Sequence, residues 1–492
     1  MNVNQAVSCY LNPLNHSARR LLTFLNLIPT QCLCIALFFL LYHKFLSYWM
    51  RTASVNLGAV KFHRHVVPLY AQPQTDLSIW ILPALVVLIV FLLVCRKIFL
   101  QRSVSSTQLV VISTGFFLVI SISVAMIDGY REMAGRQLPA LLEPYTRTRY
   151  EYYGDVPKVD QIGFLSFMRD YAKPELFATL SGHAQTHPPG GILFLWIVSK
   201  LFGYNLLAAS LGSIVFTSLT VIPIYLLAKE LYGESIGRYT LALSLITPNF
   251  VMFTGTSMDG PFSVFPILSL YLFYRGILSD RAIRYGFLTG ISLGCGVLMT
   301  YSTVFIGLFF NVVMLLTLIV DRGRFRHTLT LLLIAGVTFT TFYLLMFLVT
   351  GFNLLEALQA SIRKDKEALG TGYETIGLYL HLSVGNLFAF LIGVGIPMTT
   401  VWFRQIVGAI REGRRGAPTN IYIVGYLISL LVIAFSTLFT MEVERVWIFM
   451  TPFILIPVAK YLSQRSIADF YWVAGLLCLQ LVLFEVTLYT YW

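Results

Sequence analysis

The sequence has little charge, few cysteines and no long polar stretch. Only 12% of its 492 residues are Asp, Glu, Lys or Arg, and 57% are hydrophobic; this excludes an ordinary soluble protein, in which about a quarter of residues are charged. The lack of a long polar segment excludes a separate soluble domain. Six cysteines (Cys9, Cys32, Cys34, Cys95, Cys295 and Cys478) are dispersed, all but Cys9 in or near apolar runs, so neither a disulfide framework nor a cysteine metal cluster is expected. A net charge of +12 invites a nucleic-acid reading, but the basic residues form no single patch with interleaved aromatics and are scattered in short loops between apolar runs. No nucleic-acid partner is expected. The polar N-terminus lacks the small-residue cleavage site of a signal peptide, so its first apolar run is expected to be retained.

Long apolar runs are what the sequence does have. They occur near 30–49, 77–95, 107–127, 205–227, 236–254, 261–278, 285–299, 302–320, 328–350, 378–402, 420–440, 446–462 and 468–490, which predicts an all-α polytopic membrane protein of about thirteen transmembrane helices. Arg96, Lys97 and Arg102, then Lys229 and Arg238, Arg281 and Arg284, Arg322, Arg324 and Arg326, the run 404–415, and Lys460 with Arg465 fall in alternate loops. The positive-inside rule makes those loops cytoplasmic. The pattern holds only if "HPPGGILFLWIVSKLFG" does not cross; its apolar part is short for a span and is expected to lie in the outer interface. One large outer loop, 128–204, then contains interfacial helices. The expected organisation is a two-span extension (1–106), a transmembrane core (107–462) and a terminal span (463–492).

Ionisable residues gather in the outer loops. Asp128 ends the apolar run "FFLVISISVAMI" at the mouth of the third span, where desolvation would raise a carboxyl toward the range of a general base, although a helix-end aspartate reaching water is the plain alternative. Asp259 in "TSMDGPFSVF" reads either as an acid of the site or as the N-cap of the next helix. Glu442, Glu444 and Arg445 in "MEVERVW" offer a guanidinium that holds either a phosphate or a neighbouring glutamate. His183 and His187 have metal-ligand spacing, but Pro188 and Pro189 disfavour one continuous helix and no Glu lies between them, so a zinc site is not expected. The prolines read instead as helix starters, with Gly190 and Gly191 letting an anion approach the helix N-terminus. The loop 351–377 reads as an amphipathic surface helix with Arg363, Lys364 and Lys366.

The order of these motifs resembles the polytopic GT-C glycosyltransferases, relatives of protein O-mannosyltransferases and lipid A aminoarabinose transferases, in a bacterial branch with His-Pro-Pro-Gly. The residues that carry it run from Asp128 through "THPPG", "LFGYNLLAASLGS", "IYLLAKELYG", "TSMDGPFSVF" and "LHLSVGNLFAFLIGVGIP" to "EVERVWIFMTPFILIPVA". The resemblance implies transfer of a sugar from a polyprenyl-phosphate donor to a glycan, lipid or protein acceptor, with inversion. It further implies a multi-pass protein among the lipids of a bacterial plasma membrane, active on the outer face. It makes Asp128 the first-loop base or base-supporting acid, Asp259 the second acid, and His187 a neighbour of the lipid phosphate. Tyr130, Glu132, His183, Glu444 and Arg445 complete the expected binding set. Many relatives have adjacent first-loop acids, whereas here Asp128 is followed by Gly129 and the next acid is Glu132, which counts against a paired-acid or metal-bound mechanism; no particular cofactor is implied, and a divalent metal is left open.

Rival classes are a transporter or lipid flippase, which buries charge inside its spans, and a lipid-linked oligosaccharide ligase or polymerase, which relies on Arg and His of an outer loop. The span interiors here are nearly free of charge.

Overall fold

The computed structural model describes residues 27–52, 65–75, 77–101, 103–133, 135–369, 374–412, 418–436, 438–439 and 442–490. Cys9, Arg102, Arg414 and Arg415 lie outside these. The first helices are α1 (Ile28–Thr52), α2 (Ile81–Cys95) and α3 (Ser106–Ala125), and four short helices follow: α4 (Glu143–Thr146), α5 (Val156–Ile162), α6 (Phe164–Asp170) and α7 (Pro174–Phe177). Next come α8 (Gly182–Thr186), α9 (Gly190–Phe202), α10 (Leu206–Ser218), α11 (Val221–Tyr232), α12 (Glu234–Ser244), α13 (Pro248–Thr256) and α14 (Asp259–Leu278). The remainder are α15 (Ala282–Met299), α16 (Val304–Val320), α17 (Arg322–Thr350), α18 (Leu354–Leu369), α19 (Ile376–Val394), α20 (Ile396–Glu412), α21 (Pro418–Ala434), α22 (Val443–Val446), α23 (Pro452–Ser463) and α24 (Ile467–Thr487). Four short strands pair antiparallel: β2 (Tyr130–Met133) with β3 (Arg136–Pro139), and β1 (Gln72–Pro73) with β4 (Leu488–Tyr489).

Ten helices among the described residues are long and apolar enough to cross a membrane, and three more apolar helices, Gly190–Phe202, Ile421–Ala434 and Ile448–Ser463, are shorter. The protein is thus all-α and polytopic. The expected span at 236–254 is broken instead: Pro248 has no N–H to continue α12 and starts α13 at its N-terminus. The expected span 378–402 also divides, at Gly395, whose φ of +120° admits only glycine and where a Cβ would lie 2.4 Å from Leu477.

The helix ends sort onto two faces. On one, Arg275 pairs with Glu230 at 2.7 Å, Lys229 and Arg238 meet Glu234 at 2.9 and 2.8 Å, Lys460 lies 4.6 Å over the Tyr232 ring, and Arg404 donates to Tyr461 at 2.7 Å. This basic face collects the groups that the alternation of charged loops assigns to one side. The opposite, loop face carries Asp128, the β2–β3 hairpin and α4–α9.

Helix α9 does not cross between them. Its 13 residues span about 20 Å against roughly 30 Å of hydrocarbon. Near its C-terminal end Lys200 and Trp196 bond Asp160 at 2.9 and 3.0 Å, and beyond that end Tyr204 donates to the Tyr153 carbonyl at 3.1 Å. Its N-terminal end packs on the end of α15. Gly190 serves that packing, since a Cβ on it would lie 2.1 Å from the Leu298 carbonyl oxygen, and a Cβ on Gly191 would lie 3.1 Å from Phe262 and Tyr152. A Gly190→Ala variant is expected to lose about 1–3 kcal/mol of stability by overpacking, read as a lower melting temperature in detergent.

The expected extension and terminal span are part of one packed body. A single hydrophobic cluster includes Ile28 and Phe39 of α1, Phe91 of α2, and Phe470 and Leu481 of α24 together with the core helices.

Candidate active site

Two acid–arginine clusters lie on the loop face. The first begins at Asp128, just past the end of α3. Its side chain is fully buried, and Oδ2 accepts from Arg131 at 2.7 Å. Arg131 also bonds Glu143 at 3.0 Å, and Glu143 accepts from the Tyr489 hydroxyl. Strand alternation explains this assembly: in β2 successive side chains point to opposite sides, so Arg131 turns inward beside Asp128 while Tyr130 and Glu132 face outward. Tyr130 is 53% exposed and tilts against Trp80, and Glu132 is exposed. The structure therefore does not bring Tyr130 or Glu132 into either cluster. On α24, the buried Glu485 lies within electrostatic reach of Asp128 and accepts from Thr490 at 2.9 Å.

Asp259 and Arg445 form the centre of the second cluster. Asp259 occupies the first position of α14, yet its carboxylate does not cap that helix. Its Oδ2 accepts from Arg445 at 2.7 Å and from Ser257 at 3.0 Å, and the N–H of Asp259 donates to Ser257 at 3.2 Å. The N-cap alternative is thus replaced by an ion pair, because Ser257 already serves the free N–H. Both side chains are nearly buried, at 7% and 8% exposure for Arg445 and Asp259. Oδ1 of Asp259 takes no hydrogen bond among the described residues. Arg445 also pairs with Glu442, whose φ of +65° is unusual for a residue with a side chain. Such backbone strain persists where surrounding contacts hold it, often in functional sites.

The two histidines of the Pro-Pro-Gly turn join this second cluster. His183 Nδ1 meets Glu151 at 3.1 Å. Burial pushes its pKa down, but the Glu151 charge and hydrogen bond outweigh this and raise it above the ordinary value. His187 behaves oppositely: burial, then the neighbouring His183, lower its pKa to about 4. It is therefore neutral at pH 7. Its Nδ1 lies 3.1 Å from the His183 carbonyl, which can only accept, so Nδ1 carries the proton and Nε2 is a hydrogen-bond acceptor. His183 is accordingly the better donor to an anion, and the neutral His187 suits a hydroxyl. The rings are 6.4 Å apart, and no group of three or more His, Cys, Asp or Glu among the described residues has the arrangement of a metal site.

A pH effect follows from the His183 pair. Because its folded pKa is raised, the Glu151–His183 interaction stabilises the fold fully below the unfolded value of about 6.5 and is lost as pH rises through the folded value. The expected result is a melting temperature that declines across this window, with the decline reduced in Glu151→Gln.

Glu444 sits beside Arg445 but faces another way. Its Oε1 accepts from the Tyr70 N–H at 2.7 Å, and burial raises its carboxyl pKa to about 7 against the lowering effect of backbone hydrogen bonds. Tyr70 lies within electrostatic reach of Glu442, Arg445, Glu444 and Arg147, and Arg147 in turn lies over the Tyr489 ring of the first cluster at 5.8 Å. Tyr70 thus stands between the two clusters. Nothing in the sequence marked it, since it comes from the expected extension. Arg131 was not singled out either, although the alternation of "YREM" before a Gly-containing turn is a signal that could have found it.

Fold and site together define a polytopic helical membrane protein with buried acid–arginine pairs on one face. Residues 186–355 match the model of the family described as Dolichyl-phosphate-mannose-protein mannosyltransferase. That stretch starts at the Pro-Pro-Gly turn, and the match there is to protein mannosyltransferases, among the relatives that the sequence resembles. Among solved structures, the chain is similar to ArnT from Cupriavidus metallidurans bound to undecaprenyl phosphate, with 14% identity and a TM-score of 0.48 over 75% of this chain and 62% of that one. The apo state of the same protein gives 15% identity and a TM-score of 0.44 over 73% and 60%. The Archaeoglobus fulgidus oligosaccharyltransferase in complex with Zn and sulfate gives 12% and 0.43 over 80% and 53%. The chain spans less than two thirds of each of these proteins. No curated protein matches it.

Proposed function

We propose that the protein is a membrane glycosyltransferase that moves a sugar from a polyprenyl-phosphate carrier to an acceptor hydroxyl or amine on the outer face. The observation that carries this reading is the Asp259–Arg445 pair: a nearly buried carboxylate fixed through one oxygen, with the other carrying no hydrogen bond among the described residues, beside the donor His183 and the acceptor His187. The basic ends of the helices lie on the opposite face, which supports an outer position by the positive-inside rule; in a bacterial cell this is the outer face of the plasma membrane. The matched family supports a phosphate-linked lipid donor.

In the proposed reaction, the acceptor oxygen or nitrogen attacks the anomeric carbon, its proton passes to Asp259 Oδ1, and the bond from that carbon to the phosphate oxygen breaks with its electron pair going to the phosphate. Arg445 and His183 stabilise the growing phosphate charge. A single displacement of this kind inverts the anomeric centre. Asp128, turned onto Arg131 and closed from solvent, acts as a positioning residue for that guanidinium.

The test is reconstitution of the full chain in nanodiscs with a radiolabelled polyprenyl-phosphate sugar and separate glycan, lipid and protein acceptors. Label is expected to enter one acceptor class with stoichiometric release of polyprenyl phosphate. Solute or lipid translocation without a glycosyl product would overturn the reading in favour of a transporter.

A further inference from the structure

Tyr152 stands in the second cluster with a polar group that the fold does not use. It is 2% exposed, and its ring packs against His183 at 6.1 Å, His187 at 5.9 Å and Phe262 at 5.5 Å. Gly191 leaves room for that ring, since a Cβ there would lie 3.1 Å from it. The Tyr152 hydroxyl lies within electrostatic reach of Glu151, Asp259 and Arg445, yet it takes no hydrogen bond among the described residues. A buried tyrosine hydroxyl ordinarily has a partner. Burial, then the Glu151 and Asp259 carboxylates, hold its pKa well above the ordinary value, so it is protonated and can donate.

His187 supplies the complementary atom. Its Nδ1 is engaged by the His183 carbonyl at 3.1 Å and Thr186 Oγ1 at 3.2 Å, which leaves Nε2 an acceptor with no hydrogen bond among the described residues. The ring is half-buried, stacks on Phe262 at 5.7 Å and, like Tyr152, lies within electrostatic reach of Asp259 and Arg445. The cluster is not sealed, as the His183 and Glu442 side chains are 25% and 26% exposed.

We propose that Tyr152 and His187 form the sugar subsite of this centre, the Tyr152 hydroxyl donating to, and His187 Nε2 accepting from, hydroxyl groups of the sugar being transferred. The proposal rests on the glycosyltransferase reading and names the part of the donor that these two residues meet. In that reading Arg445 and His183 serve the phosphate and Asp259 Oδ1 serves the acceptor, and the sugar joins the two. A neutral donor and a neutral acceptor on aromatic rings match hydroxyls, which both donate and accept. An ionised phosphate has no proton for His187, and an ammonium has no lone pair for Tyr152. The substrate class is thus a neutral sugar with free hydroxyls toward these rings.

The test uses the full chain in nanodiscs and reads binding by thermal shift with no acceptor present. The probes are bare polyprenyl phosphate and polyprenyl phosphates carrying mannose or glucose. The native protein is expected to bind at least one sugar-bearing carrier more tightly than the bare one. Tyr152→Phe, which removes only the hydroxyl, is expected to bind that sugar-bearing carrier about three- to tenfold more weakly, the worth of one hydrogen bond, and the bare carrier as before. His187→Leu is expected to show the same selective loss. Without ligand, Tyr152→Phe is expected to melt no lower than the native protein, because the fold loses no hydrogen bond. An equal loss for bare and sugar-bearing carriers would make these residues phosphate ligands or packing groups and overturn the subsite. So would unchanged binding in both variants, neither sugar adding affinity in the native protein, or a lower melting temperature for Tyr152→Phe. Binding is read without turnover, so a protein that shows this sugar-dependent binding and transfers no sugar would count against the glycosyltransferase reading alone.

Discussion

Asp259→Asn is expected to lower sugar transfer by about 10²- to 10⁴-fold, the range a positioned proton acceptor contributes, while leaving the protein folded. Asparagine has nearly the shape of aspartate, and its carbonyl can still accept from Arg445 and Ser257, the partners now at 2.7 and 3.0 Å. What it lacks is a basic oxygen at the position of Oδ1. Binding of the lipid donor, measured separately, is expected to change little, so the loss should fall on turnover. Asp128→Asn provides the contrast. Its carboxylate is fully buried against Arg131, so the expected loss is smaller and accompanied by lower thermal stability.

Arg445→Leu is expected to have the largest effect on stability. The guanidinium bonds Asp259 and Glu442 and is itself nearly buried. Removing it leaves two carboxylates facing each other without a counter-charge, and breaking a buried pair in this way costs about 3–5 kcal/mol. The double variant Arg445→Leu with Asp259→Asn should recover part of that stability without recovering transfer. Thermal unfolding of the four proteins of this cycle gives the coupling between the two residues.

How much of this was legible in the sequence depended on the kind of signal. The helical, polytopic fold and the surface position of α9 were readable because membrane-length apolar runs and charged-loop alternation are local and repeated. The breaks at Pro248 and Gly395 were less so: both lie inside apolar stretches, where hydropathy continues although the backbone cannot. Asp259 and Arg445 were readable as separate candidates but not as a pair, since they are far apart in the chain and meet only when α14 and α22 pack together. The packing and protonation at the Pro-Pro-Gly turn were not legible. Gly190 admits the backbone of α15, Gly191 faces Phe262 and Tyr152, and His187 is neutral, while His183 is the histidine whose positive charge Glu151 favours. Tyr70 and Tyr489 carried no signal at all, because their importance comes from the β1–β4 pairing that ties the extension to the last helix.

The measurement closest to the central claim is the anomeric configuration of the transferred sugar, determined by NMR on product made by the native chain from a polyprenyl-phosphate sugar of known configuration. A single displacement at the Asp259 centre predicts a glycosidic product of inverted configuration, with one polyprenyl phosphate released per sugar transferred. Retained configuration, or donor consumption without any glycosylated product, would contradict it.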